Sequence, residues 1–105
     1  MNAIVVGADE YALGDALESM GVSVTYVEGF ANRPALEDAG IVDCDLFVLT
    51  DVSQATSIPV AKDINDQLRV VVYADDSVPE FVRGRSALII DPDLLSPETV
   101  AEELV

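Results

Sequence analysis

Five short runs rich in β-branched residues, 2–7 (NAIVVG), 22–27 (VSVTYV), 45–50 (DLFVLT), 69–74 (RVVVYA) and 86–91 (SALIID), alternate along the chain with segments of helical character. Apart from VSVTYV they lack the apolar–polar alternation of a half-solvated strand, as strands covered on both faces do. The pattern predicts an α/β fold, a three-layer Rossmann-like domain with a five-stranded parallel sheet between helices. Right-handed crossovers leave few topologies for such a sheet, and the expected strand order is 2-1-3-4-5. That order opens a crevice between the first and third strands at their carboxyl ends, where ligands of open α/β sheets bind. The segments expected at this edge are 8–11, 28–30, 50–57, 74–77 and 91–93.

The helices are legible from spacing and caps. Leu13, Ala16, Leu17 and Met20 recur at i, i+3, i+4 and i+7, and Gly21 ends the run. Asn32 is a cap, Pro34 sits in the first turn and Gly40 is the stop of a short second helix. Pro59 is tolerated only in a first turn, so the third helix is expected to begin near Ser57, after a polar loop over 51–57. Residues 79–82 hold at most a turn or two. Ser96 and Pro97 open a terminal helix whose apolar face is Val100, Ala101 and Leu104.

Half of the 105 residues are hydrophobic, which predicts one domain over 1–105 consisting of one sheet and its covering helices. Twenty acids stand against five bases, with no histidine, for a formal charge of −15. Such a surface cannot release counterions from nucleic acid, and anionic membranes repel it. The expected partner is instead a protein or a second copy. At this charge density self-repulsion destabilises the compact state in dilute buffer and is screened within about 3 Å at 1 M salt, the signature of a halophilic acidic protein. Cys44 is alone and has no base to activate it, so it is expected as a small buried thiol. No basic leader is present and no apolar run reaches the about 18 residues of a membrane span, so no membrane insertion and a cytoplasmic location are expected. Without histidine or an activated thiol, and with the single lysine, Lys62, on a helix, the composition argues against an enzyme.

Residues 4–29 (IVVGADEYALGDALESMGVSVTYVEG), 34–65 (PALEDAGIVDCDLFVLTDVSQATSIPVAKDIN) and 68–74 (LRVVVYA) resemble the TrkA-N, or RCK, Rossmann domain of potassium-transport regulators. The chain is shorter by about one βα unit, because only EGFAN separates the second strand from the helix that follows. The resemblance implies a regulatory or sensing module with an NAD or adenine-nucleotide site on Gly7, Asp9, Glu10, Ala12, Glu28, Thr50 and Asp51. Gly7, Asp9 and Ala12 fall at the three glycines of the phosphate loop, and Glu28 at its ribose-binding acid. Ala12 only has to permit close packing of helix on strand. Asp9 stands where the backbone must approach the pyrophosphate, and two unit charges about 4 Å apart at an effective dielectric of about 20 repel by about 4 kcal/mol. A helix N-terminus returns only about 0.3–1 kcal/mol to an anion, and that attraction would be spent on Asp9 itself. The loop is therefore expected to be a degenerate frame in which nucleotide binding is weakened. Gly14, inside the first helix, is expected to pack closely on the sheet.

Asp9 and Glu10 after the first strand, Asp51 after the third, and the closing ALIIDPDLLSPETV (87–100) are also similar to response-regulator receiver domains. That similarity implies a magnesium site on Asp9, Glu10 and Asp51, hard oxygen ligands for a hard cation, with Asp51 as phosphoacceptor. Two departures follow the same comparison. Asp91-Pro92 replaces the lysine that would steady a phosphoryl group, and Ala74-Asp75 replaces the hydroxyl residue after the fourth strand. The alternative to the TrkA-N reading is thus a degenerate receiver-like signalling domain without phosphotransfer.

Overall fold

The computed structural model describes residues 1–83 and 87–105, with Arg83 described by its backbone alone. Five strands, β1 (Asn2–Val6), β2 (Ser23–Val27), β3 (Leu46–Leu49), β4 (Arg69–Tyr73) and β5 (Leu88–Ile90), form one sheet in the order β2-β1-β3-β4-β5. Every pairing is parallel. The expected topology is met, and Ser86 of the fifth run lies outside the described residues.

Successive side chains of a strand point to opposite faces, and the three central strands are apolar at nearly every position. Ile4, Val6, Phe47, Leu49, Val70 and Val72 therefore build one core. Helices α2 (Arg33–Asp38), α3 (Ser57–Ile64) and α4 (Glu80–Arg83) cover it through Leu36, Ile58, Ala61 and Val82. Ala3, Val5, Leu46, Val48, Val71 and Tyr73 build the other core, covered by α1 (Leu13–Ser19) and α5 (Pro97–Leu104). VSVTYV keeps its alternation because β2 is an edge, with Ser23 and Thr25 exposed.

Caps act where the sequence places them. The Asn32 side chain accepts the Ala35 amide at 3.0 Å, and the Ser96 hydroxyl accepts the Thr99 amide at 3.3 Å. Met20 departs from expectation. It is the C-cap of α1, 40% exposed, because the chain turns into the left-handed Gly21 before another helical turn can carry it onto the sheet. Two 3-10 turns, Ile41–Asp43 and Val52–Gln54, fill segments without a helical or strand period.

Cys44 is buried at the amino end of β3, its thiol directed at the Leu46 carbonyl at 3.1 Å, and burial pushes its pKa up. Lys62 donates to the carbonyls of Asp66 and Leu68, just ahead of β4, so its ammonium lies at the opposite end of the sheet from the strand carboxyl ends. No helix among the described residues is long and apolar enough to cross a membrane.

Candidate functional site

Three strands deliver the site. Beyond β1 the chain runs Ala8 to Tyr11, beyond β3 it passes Thr50 and Asp51, and beyond β4 it passes Ala74 to Asp76. Together with Tyr73 these segments line a cleft of about 310 Å³ at the carboxyl ends. Its acids are Asp9, Glu10, Asp51, Asp75 and Asp76, and no base lines it. Glu28 opens instead onto a neighbouring depression of about 330 Å³ shared with Gly7, Gly29, Asp51 and Gln54.

Gly7 is required by its surroundings. Its φ of +112° is left-handed, and a Cβ there would fall 2.2 Å from Thr50 Oγ1 and 2.9 Å from the Asp51 amide nitrogen. The Thr50 hydroxyl donates to the Val6 carbonyl at 3.0 Å and accepts the Asp9 amide at 3.2 Å. β3 thereby fixes the start of the loop that follows β1.

Held in this way, Asp9 adopts φ +53° and turns its carboxylate onto the first helix. Oδ1 accepts the Leu13 amide at 3.0 Å and Oδ2 accepts the Gly14 amide at 2.9 Å. These are two of the free amides at a helix N-terminus, the donors with which a phosphate loop would grip its anion. The anion in that seat is the protein's own side chain. Sequence spacing foresees a clash between Asp9 and a ligand, with the pull of the helix N-terminus spent on Asp9, but not these two particular bonds, which depend on the conformation imposed through Thr50.

Ala12 does not have the role its place in the motif suggests. It is exposed and left-handed, φ +57°, as N-cap of α1 without a side-chain cap bond. Close approach falls to Gly14, which is buried and where a Cβ would stand 2.2 Å from the Tyr26 hydroxyl of β2 and 3.0 Å from Asp9 Oδ2. The expected tight packing of Gly14 is present, directed at the edge strand.

Glu10, Asp51 and Asp9 share the cleft without converging. Asp51 Oδ1 accepts both the Ser53 amide at 3.0 Å and the Ser53 hydroxyl at 2.6 Å, which caps the turn after β3. Among the described residues no group of three or more Asp, Glu, Cys or His side chains is placed to hold a metal ion. The expected magnesium triad of Asp9, Glu10 and Asp51 is brought to one cleft and not to one point.

Tyrosines complete the site: Tyr11 lies in the expected edge segment 8–11, whereas Tyr73 and Tyr26 carry no sequence signal. Tyr11 packs edge-on against Tyr73, ring centroids 5.8 Å apart, and directs its hydroxyl toward Asp75. The charge of Asp75 raises the Tyr11 pKa, and burial raises that of Tyr73. Tyr26 is pushed up to about 12, by burial first and then by Glu18 and Asp9. The field over this end of the sheet is negative throughout. Gln54 is also unforeseen: its amide donates to the Gly29 carbonyl at 2.8 Å and accepts the Ala31 amide at 2.7 Å, strapping the end of β2 to the turn after β3.

A family model described as a family of unknown function, DUF7126, matches residues 3–104. The chain belongs to this family. No curated protein matches it. Two crystal structures share the fold of this DUF7126 chain. One is a pilus assembly-related protein of Burkholderia pseudomallei, 16% identical, TM-score 0.66, covering 99% of this chain and 86% of that one. The other is a pilus assembly protein, CpaE, of Burkholderia thailandensis, 16% identical, TM-score 0.68, covering 99% and 94%. At this identity the likeness is one of fold alone. Neither the family match nor these structures supports the TrkA-N resemblance, and the parallel 2-1-3-4-5 sheet is receiver-like.

Proposed function

We propose that the chain is a non-catalytic, receiver-like interaction module whose strand-end cleft has exchanged ligand chemistry for internal bonding. The observation that carries this reading is the Asp9 carboxylate bonded to the Leu13 and Gly14 amides. A receiver uses the acids after its first strand to hold a cation and the acid after its third to accept a phosphoryl group. Here Asp9 caps a helix and Asp51 caps a turn, so each gives up lone pairs that a metal would need. The positions that would steady a transferred phosphoryl carry Asp91 and Ala74. A phosphoryl group among five carboxylates meets no lysine or arginine in the cleft lining to offset its charge. Two proteins of this fold are named for pilus assembly, and by analogy of fold alone the domain is read as contributing surface and not turnover.

Incubation with acetyl phosphate and magnesium at molar potassium chloride is expected to leave the intact mass unchanged. The nonhydrolysable mimic beryllofluoride should not displace the Asp51 amide resonance. A stoichiometric phosphoryl adduct on Asp51, lost in Asp51→Asn, would establish phosphotransfer and end this reading.

A further inference from the structure

The two edges of the sheet differ. β2 carries exposed Ser23 and Thr25, the polar character that keeps an edge solvated. β5 reads Leu88-Ile89-Ile90, without a charge or proline to blunt it, and Leu88 is 51% exposed. Between β5 and α5 lies an apolar groove of about 420 Å³, continued by Leu94 and Leu95. Leu94 is 79% exposed, yet its backbone is pinned. The Leu94 and Leu95 amides both donate to the Asp91 carbonyl, Asp91 Oδ1 accepts the Asp93 amide at 2.9 Å, and the buried Tyr73 hydroxyl donates to the Leu95 carbonyl at 2.7 Å. A leucine fixed in this way is a preorganised contact, which lowers the ordering cost of binding.

We propose that this groove docks a cationic amphipathic helix of a partner protein, its apolar stripe over Leu88, Leu94 and Leu95 and its basic residues against the acidic rim. The charged side chains in the lining are Asp91 and Glu103, with Asp93 and Glu102 exposed beside them, and no base lines the groove among the described residues. A second copy of the chain would bring a further formal charge of −15 to the same rim, whereas lysine or arginine flanks complement it. Three strand residues are too short an edge for strand addition to dominate, while the space between a strand and a helix accepts a helix face. The proposal deepens the interaction-module reading by naming the partner's chemistry.

The probe is a fluorescein-labelled synthetic helix with leucines at i, i+3, i+4 and i+7 and lysines flanking them, followed by anisotropy against the full chain at one fixed salt concentration. It is expected to bind, and Leu94→Ser, at a site too exposed to be needed for folding, is expected to weaken it about tenfold, as for a central interface contact. Phe30→Ser, 69% exposed just beyond the opposite edge strand β2, should leave binding unchanged. The same peptide with glutamate for lysine should not bind. No binding of the lysine peptide, equal binding to Leu94→Ser, or equal binding of the glutamate peptide would each overturn the proposal. A concentration-dependent dimer abolished by Leu94→Ser would assign the groove to a second copy and overturn it too. Failure here without phosphotransfer at Asp51 removes the groove and leaves the module reading standing; phosphotransfer with peptide binding intact does the reverse.

Discussion

Asp9→Ala lowers the melting temperature by about 10–20 °C, because about 2–3 kcal/mol is lost with a helix cap made of two charge-assisted bonds. The Leu13 and Gly14 amides lose their acceptor at the buried start of α1, where both residues are shielded by the sheet. Alanine is also poorly suited to φ +53°, which aspartate tolerates better. Two further variants separate these causes. Asp9→Asn keeps one good acceptor and the backbone tolerance, and is expected to lose about half as much stability. Asp9→Gly accepts the backbone angle without strain but caps nothing, so it falls between the alanine variant and the unmodified protein. Thermal unfolding of the three at one fixed salt concentration checks the order. An Asp9→Ala midpoint within about 2 °C of the unmodified protein would make the two bonds energetically idle.

Melting temperature climbs by about 10–20 °C between dilute buffer and molar potassium chloride, if screening recovers about 2–3 kcal/mol of self-repulsion. Twenty acids face five bases, and among the described residues one ion pair is formed, Arg33 with Asp63 on the surface. Asp9 and Asp51 are held instead by helix and turn amides. Repulsion among the acids is concentrated in the folded state, where charges are closest, so salt favours that state. A scan in potassium chloride against an equal osmolarity of sucrose isolates the ionic effect. A flat salt profile would remove halophilic adaptation as the reason for the acidic surface and require a specific role for it.

Much of the fold is legible in the sequence because local signals agree with the global arrangement. The β-branched runs over Asn2–Val6, Leu46–Leu49 and Arg69–Tyr73 are the strands that are buried on both faces. Pro59 sets the start of α3, and Asn32 and Ser96 cap as their residue type predicts. Met20 fails because helical periodicity does not register where Gly21 bends the chain away. The site is legible in position and less so in chemistry. Gly7, Thr50, Asp51 and Glu28 lie at the strand ends where topology puts them. Gly14 packs closely as expected, whereas Ala12 is left exposed, because loop conformation decides which residue faces β2. Tyr73 reads as one more strand residue, and only the cleft shows its ring against Tyr11. Gln54 has no motif at all, and its strap to Gly29 and Ala31 joins segments more than twenty positions apart.

Asp9 fills the anion seat at the start of α1, and the proposed function requires that seat to be closed to ligands. Amide proton and nitrogen shifts of Leu13 and Gly14 report that seat directly, since both nitrogens donate to the Asp9 carboxylate. With the unmodified protein in molar potassium chloride, NAD, adenosine monophosphate and magnesium are each added to millimolar concentration. Neither resonance is expected to move beyond the small uniform drift of the whole spectrum. A saturable shift of Leu13 and Gly14 at micromolar ligand would contradict that closure, because the seat would then be one that Asp9 vacates or shares.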